Sequence, residues 1–332
     1  MRLKTYLQSF RQRVRPFFDQ VLETRGPALF RDTLFLSFLG ARICYASSPP
    51  LALFSERRFQ DPEELLAFFM RLKASGHTSI FAHSPLVVSG PPNKEAASLA
   101  PVLYKAWWTP DGQKVCVNLR HWAEVYEDDT FREILKASLD ESRAWLEFRC
   151  FRLGIVEGEP RLLEEAPLGE FVRRGLKKTS TDLWAEPEIV VIETSYEITA
   201  PFGWLVVVVE GMSRLFSHQF VRHTWLNFNQ RSHRYTEVDR FVCPPGYPEK
   251  AKKLYREEIE SGMRLYRELL EIGVRKEDAR FVMPQGSATT ILATGPLFVW
   301  EDFILKRRHL KAQWEIRNLA RALEIVLTKV NF

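Results

Sequence analysis

The sequence predicts an α/β (α+β) fold in which a mixed or antiparallel sheet is flanked by long helices. Residues 204–210 form a short run dominated by β-branched residues, which is typical of a buried strand. Residues 249–272 carry interleaved Lys, Arg and Glu over a length that indicates a long helix. With 332 residues and 45% hydrophobic content, the chain can bury a sizeable core.

Composition limits the classes of function. The net charge of +5 fits an anionic small-molecule ligand as well as nucleic acid. The four cysteines are widely spaced and form no CxxC pair, so we expect reduced thiols and no metal site. The apolar runs fall far below the roughly 20 residues that cross a bilayer. We therefore expect a cytoplasmic protein with no membrane partner.

The first third of the chain predicts helices. Residues 1–30 have a basic amphipathic pattern, which favours an arm packed on its own fold or a sister subunit over a membrane or nucleic-acid contact. A second helix opens at Asp61 and ends at Gly76. Residues 76–83 follow as a turn with two histidines, which either cap this helix or bind a ligand.

The remaining elements follow in order. We predict a strand that leads into a helix at 114–120, a charged helix at 130–148, and strands and loops at 150–199. The strand at 204–210 feeds an amphipathic helix. Beyond it we expect extended chain around Ser232, Arg234 and Tyr235, then the helix at 249–272, a strand at 287–293, and helices at 297–308 and 313–327.

Residues 217–235 are the densest functional stretch, with three histidines and three arginines among amides, hydroxyls and aromatics. On a helix, Gln219, Arg222 and His223 would share one face. Arginine grips phosphate oxygens in pairs, so the stretch indicates a phosphate-containing ligand. The alternative is a solvated basic face.

These residues carry a family resemblance. Arg222-His223-Thr224 is followed by seven residues and then Ser232, which resembles the Arg-His-Arg, seven residues, Ser signature of the flavin-dependent thymidylate synthases, the ThyX family. Further matching segments lie at 41–45, 76–79, 279–284, 304–307 and 312–316. The resemblance covers residues 38–90 and about 194–326.

The resemblance implies that the protein binds FAD, dUMP and methylenetetrahydrofolate, that NADPH reduces the flavin, and that dUMP becomes dTMP. It implies a dUMP site formed by Gln219, Arg222, Gln230, Ser232, Arg234, Arg280 and Arg307. It implies flavin contacts from His77, Ser79, Arg222, His223 and Thr224. Of these residues, Arg307, Ser232 and His77 would act closest to the chemistry, with Arg307 stabilising negative charge on the uracil.

Several positions depart from the family pattern. Thr224 replaces the third residue of Arg-His-Arg, Gln230 replaces an acid, and Ala82 replaces a glutamate. Pro296 and Phe298 stand where the family has Asn-x-Arg, and Lys311 stands where a histidine is common. Several of these changes lie on the flavin side, so the resemblance implies FAD binding less firmly than dUMP binding.

Asn118 and Arg120 form an Asn-x-Arg segment in the first half of the chain. This suggests a diverged internal duplication, with an N-terminal half at 1–190 and a C-terminal half at 191–332. Asn118 and Arg120 would then serve a flavin bound mainly by the C-terminal half. Chance similarity is the alternative.

We therefore expect reductive methylation of dUMP by a homo-oligomer, a tetramer by resemblance or a dimer if the chain is duplicated. Two alternatives stay open. One is a non-catalytic nucleotide- or RNA-binding protein that lost the flavin, although a nucleic-acid partner is not the favoured expectation. The other is a flavin enzyme that methylates a different uracil nucleotide.

Overall fold

The computed structural model describes residues 2–90, 105–139, 143–174 and 183–330, with side chains from residue 11 onward. The part of the chain before the main sheet is mostly helical. Its helices are α1 (Arg2–Arg25), α2 (Leu34–Tyr45), α3 (Arg57–Gln60), α4 (Pro62–Ala74), α5 (Leu119–Val125) and α6 (Asp128–Ser138). Three 3-10 helices span Pro50–Ser55, Thr78–His83 and Ala144–Glu147.

Two antiparallel sheets follow from the apolar runs. The smaller sheet has the order β1 (Pro85–Ser89), β3 (Lys114–Asn118), β2 (Trp107–Trp108). The larger sheet has the order β5 (Glu159–Pro167), β4 (Arg149–Val156), β6 (Glu188–Thr194), β7 (Trp204–Ser213), β9 (Ala288–Pro296), β8 (Asn227–Gln230). Every pairing between these strands is antiparallel, which confirms the predicted fold class.

The remaining helices cover the larger sheet and its ends. They are α7 (Leu168–Arg174), α8 (Tyr196–Thr199), α9 (Arg214–Phe220), α10 (Glu249–Glu271), α11 (Lys276–Ala279), α12 (Leu297–Arg307) and α13 (Trp314–Leu327). A further 3-10 helix spans Arg280–Val282. In the described part of the chain, no helix combines the length and apolarity needed to span a bilayer.

The core lies on both faces of the larger sheet. Along β7, Val206 and Val208 join the cluster formed with α1, α2 and α4, whereas Val207 and Val209 join the cluster formed with α9, α12 and α13. A strand buried on both faces reads as a continuous apolar run, because alternate side chains point to opposite cores. This explains the unbroken valines of the sequence.

The N-terminal helix packs on its own chain. Val14, Phe17, Phe18 and Val21 of α1 are buried, and the Phe18 ring meets Trp122 of α5 edge-on at 4.5 Å between centroids. The predicted packing arm is confirmed for the described side chains of α1.

The predicted single helix at 130–148 is wrong. Helix α6 ends at Ser138, and a separate 3-10 helix begins at Ala144. Leu139 has extended backbone and Arg143 a left-handed φ of 53°. Both conformations are incompatible with a continuous helix.

Two strand pairs continue into a helix in the same way. In the first, β1 pairs with β3, which runs into α5, and Pro85 lies opposite Asn118. In the second, β7 pairs with β9, which runs into α12, and Trp204 lies opposite Pro296. The opening strand in each pair thus begins opposite the residue that precedes the helix.

The first residues of α5 and α12 also make equivalent hydrogen bonds. The Leu119 N–H donates to Ser84 O at 3.0 Å, and the Leu297 N–H donates to Phe202 O at 3.2 Å. The fourth residue of each helix is a fully buried tryptophan, Trp122 or Trp300. These matches support the hypothesis of an internal duplication. The proposed boundary after residue 190 falls inside β6, however, so one sheet crosses both halves.

Candidate functional site

Residues 217–235 fold into a helix end, a turn, a short strand and a second turn. Ser213 caps α9 by accepting a hydrogen bond from the Phe216 N–H at 3.1 Å. The helix ends at Phe220, so Arg222 and His223 lie in the turn that follows rather than on its face. Gln219 is half-buried on the last helical turn, and Arg222 and Thr224 are exposed.

The extended segment precedes the predicted position. Strand β8 covers Asn227–Gln230, whereas the chain turns at Ser232. The N–H groups of Tyr235 and Thr236 both donate to Ser232 O at 3.0 Å. The expectation of extended chain around Ser232, Arg234 and Tyr235 is therefore wrong.

His223 and Arg307 are in direct contact. The Arg307 Nε–H donates to His223 Nε2 at 2.8 Å, although the two residues are 84 positions apart. Burial lowers the pKa of His223 to about 4, and the charges of Arg307 and Lys306 add to this. The imidazole therefore stays neutral at physiological pH, and its Nε2 is available to accept from the guanidinium.

Ser232 meets the N-terminal half of the chain. Its N–H donates to Cys44 O at 3.0 Å, and the ring of Tyr235 lies edge-on to Tyr45 at 5.1 Å. Tyr45 in turn lies 6.1 Å from His77. The structure thus brings His77 and Ser232 to one region, as the joint occurrence of the two sequence segments suggested.

A buried hydrogen-bond chain supports this region. His83 Nε2 lies 2.7 Å from Asn229 Oδ1 and His83 Nδ1 lies 2.9 Å from Thr294 Oγ1. Asn229 Nδ2 donates to Cys44 Sγ at 2.9 Å. This orientation makes Oδ1 an acceptor, so His83 carries its proton on Nε2 and accepts from Thr294. Asn229 and Cys44 were not predicted as supporting residues, because an isolated asparagine or cysteine in the sequence indicates no particular chemistry.

Two further predicted arginines, Arg234 and Arg280, lie at or near the turn that follows Ser232. Arg234 pairs with Glu277 at 2.6 Å, and Arg280 Nε donates to Glu277 O at 3.1 Å. Gln230 faces elsewhere and donates to Thr289 Oγ1 at 3.1 Å. Ser79 is exposed on the 3-10 helix next to His77.

Asn118 and Arg120 are engaged in local contacts. Asn118 is 2% exposed and caps α5, with its N–H donating to His121 Nδ1 at 3.1 Å. Arg120 pairs with Glu124 at 2.6 Å. Arg120 also lies near Lys105, whose pKa falls to about 8 through burial and the charge of Arg120. Lys105 donates to Leu226 O, next to the His223 turn.

Aromatic side chains surround the same turn. Phe298 packs edge-on against Trp107 at 5.1 Å, and Trp107 lies 5.4 Å from Trp225. Trp225 and Phe298 are 59% and 45% exposed. Trp225 lies in the same turn as the exposed Arg222. Exposed aromatic faces with a nearby cation suit a planar, negatively charged ligand, so the residues present fit a flavin nucleotide.

Part of the chain is similar in sequence to known proteins. Residues 203–330 match the family model of the thymidylate synthase complementing protein. A flavin-dependent thymidylate synthase of Thermococcus onnurineus is 41% identical over 128 residues, which are 35% of this chain and 51% of that protein. That of Sulfurisphaera tokodaii is 37% identical over 116 residues, 34% of this chain and 45% of that protein. The resemblance predicted from the motifs is confirmed for this part of the chain.

The chain spans about half the length of these relatives. A solved UMP/dUMP methylase, PolB from Streptomyces cacaoi bound with 5-Br dUMP, is 23% identical with a TM-score of 0.36, and covers 39% of this chain and 69% of that one. A structural likeness at that level is too weak to support a conclusion.

Proposed function

We propose that the chain is a flavin-dependent thymidylate synthase that converts dUMP to dTMP with methylenetetrahydrofolate as carbon donor and NADPH as reductant. The observation that carries the proposal is the contact of Ser232 with Cys44. It joins the N-terminal segments of the resemblance to the Arg222–Ser232 signature in one region. The match of residues 203–330 supports the same assignment.

The proposed roles of the site residues follow from their charge and position. Arg222, Ser232, Arg234 and Arg280 supply donors suited to a nucleotide phosphate. Arg307 is held by neutral His223, so its cation can stabilise negative charge that develops on a uracil ring. The exposed rings of Trp225 and Phe298, with His77 and Ser79, would hold FAD, which supplies the hydride when bound. We also propose that the protein forms a homo-oligomer and is located in the cytoplasm.

The test is catalytic. Protein supplied with FAD, NADPH and methylenetetrahydrofolate is expected to release tritium from dUMP labelled at C5, and its flavin absorbance should bleach on NADPH addition. Arg307→Ala should reduce the rate by about 100-fold or more, the usual effect of removing a charge-stabilising donor. Arg308→Ala is the matched control, because Arg308 follows on the same helix end and pairs with Glu324.

Failure would take a definite form. A colourless protein that neither binds added FAD nor releases tritium would contradict the proposal. Binding of dUMP without turnover would instead support a nucleotide-binding protein.

A further inference from the structure

The smaller sheet repeats one end of the larger sheet. Its strand order is β1-β3-β2, and the larger sheet ends in the order β7-β9-β8. The pairings are antiparallel in both sheets, and β3 and β9 each run directly into a helix, α5 or α12. We name β1, β2, β3 and α5 the first repeat, and β7, β8, β9 and α12 the second repeat. The match thus extends to a third strand.

The third strand has the same register in both repeats. In the first repeat, Trp107 of β2 lies opposite the residue two positions before Asn118, the N-cap of α5. In the second repeat, Asn227 of β8 lies opposite the residue two positions before Pro296, the N-cap of α12. A slip of one residue would exchange the two faces of a strand, so an equal register places equivalent side chains on equivalent faces. Trp107 and Asn227 are therefore equivalent positions.

This register defines two further pairs of equivalent positions. Two residues before the first residue of the third strand, Lys105 is equivalent to Trp225. Two residues after the helix N-cap, Arg120 is equivalent to Phe298. In both pairs the first repeat has a cation where the second repeat has an aromatic ring.

The two repeats contact each other through equivalent segments. The ring centroid of Trp107 lies 5.4 Å from that of Trp225, and Lys105 Nζ donates to Leu226 O. The start of β2 thus packs against the residues that precede β8. Contact between the same segment of two copies is the pattern of an isologous interface. The first repeat therefore packs on the second repeat as a partner subunit would.

The interface has two patches at equivalent positions, and they differ in chemistry. The aromatic patch consists of three rings in mutual contact: Trp107, Trp225 and Phe298. The equivalent patch consists of three polar side chains: Asn227, Lys105 and Arg120. Of these two patches, only the aromatic patch offers flat apolar faces to a planar ligand.

Trp107 is held in place by both repeats. It packs against both large core clusters, and its ring is half-buried. A ring that is fixed before binding loses little conformational entropy when a ligand contacts it. The first repeat thus supplies a rigid ring beside the more exposed Trp225 and Phe298.

We propose that the first repeat completes the ligand site of the second repeat, and that its Trp107 contacts the flavin ring system. The inference rests on the proposed function for the identity of this ligand, FAD. Aromatic side chains that meet a planar ring system contribute through buried area and through ring contacts. Because the equivalent patch lacks rings, one chain binds one FAD at this interface.

Flavin binding is measurable without turnover. We would titrate wild-type protein, Trp107→Leu and Trp107→Phe with FAD and follow flavin fluorescence and the difference absorbance spectrum. Trp107→Leu keeps an apolar side chain but removes the ring, and it is expected to weaken FAD binding at least 10-fold. Trp107→Phe keeps a ring and should stay within 3-fold of wild type, which should saturate at one FAD per chain.

Trp184→Leu is the matched control. Trp184 is also half-buried, but it stacks on Tyr255 at 5.7 Å between centroids in a separate small cluster. Its replacement should leave FAD affinity within 2-fold. A loss as large as that of Trp107→Leu would contradict a specific role of Trp107.

The outcomes are distinct from those of the catalytic test. Unchanged FAD affinity in Trp107→Leu would overturn the inference even if the wild-type protein releases tritium from dUMP. FAD binding that depends on Trp107 in a protein that releases no tritium would uphold the inference and refute the proposed function. Saturation at two FAD per chain, or an equal loss in Trp107→Leu and Trp107→Phe, would also overturn the inference. A wild-type protein that binds no FAD would refute both.

Discussion

The buried His83 shows how one side chain supports the candidate site from below. It is fully buried between Thr294 and Asn229, and Asn229 reaches Cys44 beside Ser232. Burial lowers its pKa to about 4, so it is neutral in the fold. A neutral histidine serves as donor and acceptor at once, which this chain of hydrogen bonds requires.

This neutrality predicts a stability change with pH. The unfolded histidine takes up a proton near pH 6.5, whereas the folded one does so near pH 4, so stability falls as pH drops through this interval and levels off below it. A difference of this size contributes about 3 kcal/mol. Urea unfolding at a series of pH values should show that the free energy of unfolding decreases less toward acid pH in His83→Gln than in wild type. Equal slopes would contradict the assignment.

Glu315 links two helices through its carboxylate. It is buried, accepts from the Ser213 N–H at 2.7 Å and from Gln313 Nε2 at 2.8 Å, and also contacts Ser213 Oγ. Ser213 caps α9, which leads to Arg222. Glu315 therefore fixes the start of the segment that carries the site.

Removal of this carboxylate should be costly. Glu315→Ala leaves buried donors without partners, so we expect a loss of about 3 kcal/mol in the free energy of unfolding. Glu315→Gln should lose less, because an amide oxygen still accepts from the Ser213 N–H. Urea denaturation measures both, and an equal loss in the two variants would contradict this expectation, because it would show that the amide oxygen does not replace the carboxylate as an acceptor.

At the scale of elements, β7 is interrupted by a bulge. Its register with β9 shifts between Glu210 and Met212, and Gly211 has a φ of +77°. A Cβ at Gly211 would lie 2.6 Å from Glu186 O. The bulge turns the strand toward α9, and only glycine fits the position.

Gly211→Ala should therefore destabilise the protein by more than about 1 kcal/mol through strain and overlap with the Glu186 carbonyl. Gly246→Ala is the control, because a Cβ there meets nothing within 4 Å and its φ is not positive. Its effect should stay within about 0.5 kcal/mol. Thermal unfolding of the two variants would reveal the difference, and similar melting temperatures would refute the role of the bulge.

Elements with a strong local pattern could be predicted from the sequence. Helix α4 has the Asp61 cap, whose carboxylate accepts from the Glu63 and Glu64 N–H groups, and β7 has its valines. The turn at Ser232 could not be predicted, because it depends on the contact of Ser232 with Cys44. The break after Ser138 carries no glycine or proline to announce it.

At the scale of the whole molecule, the halves at 1–190 and 191–332 share one sheet. β6 pairs with β4 from the first half and with β7 from the second. One face of β6 and β7 is covered by α2 and its neighbours. Both halves contribute residues to each of the two large core clusters.

A fragment of residues 191–332 should therefore lack a cooperative thermal transition by circular dichroism, whereas the full chain should show one. Without β4 and α2, the apolar faces of β6 and β7 would be exposed to water. Mixing with a fragment of residues 1–190 should restore part of the transition. A sharp transition of the isolated fragment would show that the halves are independent domains.

The candidate site was only partly predictable for the same reason. The types of its residues follow from the sequence motifs, but their grouping depends on long-range contacts such as Arg307 with His223. Asn118 and Arg120 matched a motif, yet the structure places them in a helix cap and an ion pair.

The sheet order has a consequence for synthesis on the ribosome. Strand β8 lies at the sheet edge and pairs with β9, which begins 58 residues after β8 ends. The nascent segment of residues 217–235 therefore lacks its sheet partner β9 while α10 is translated. The proposed nucleotide binding should consequently be absent from ribosome-bound chains until β9 has left the exit tunnel.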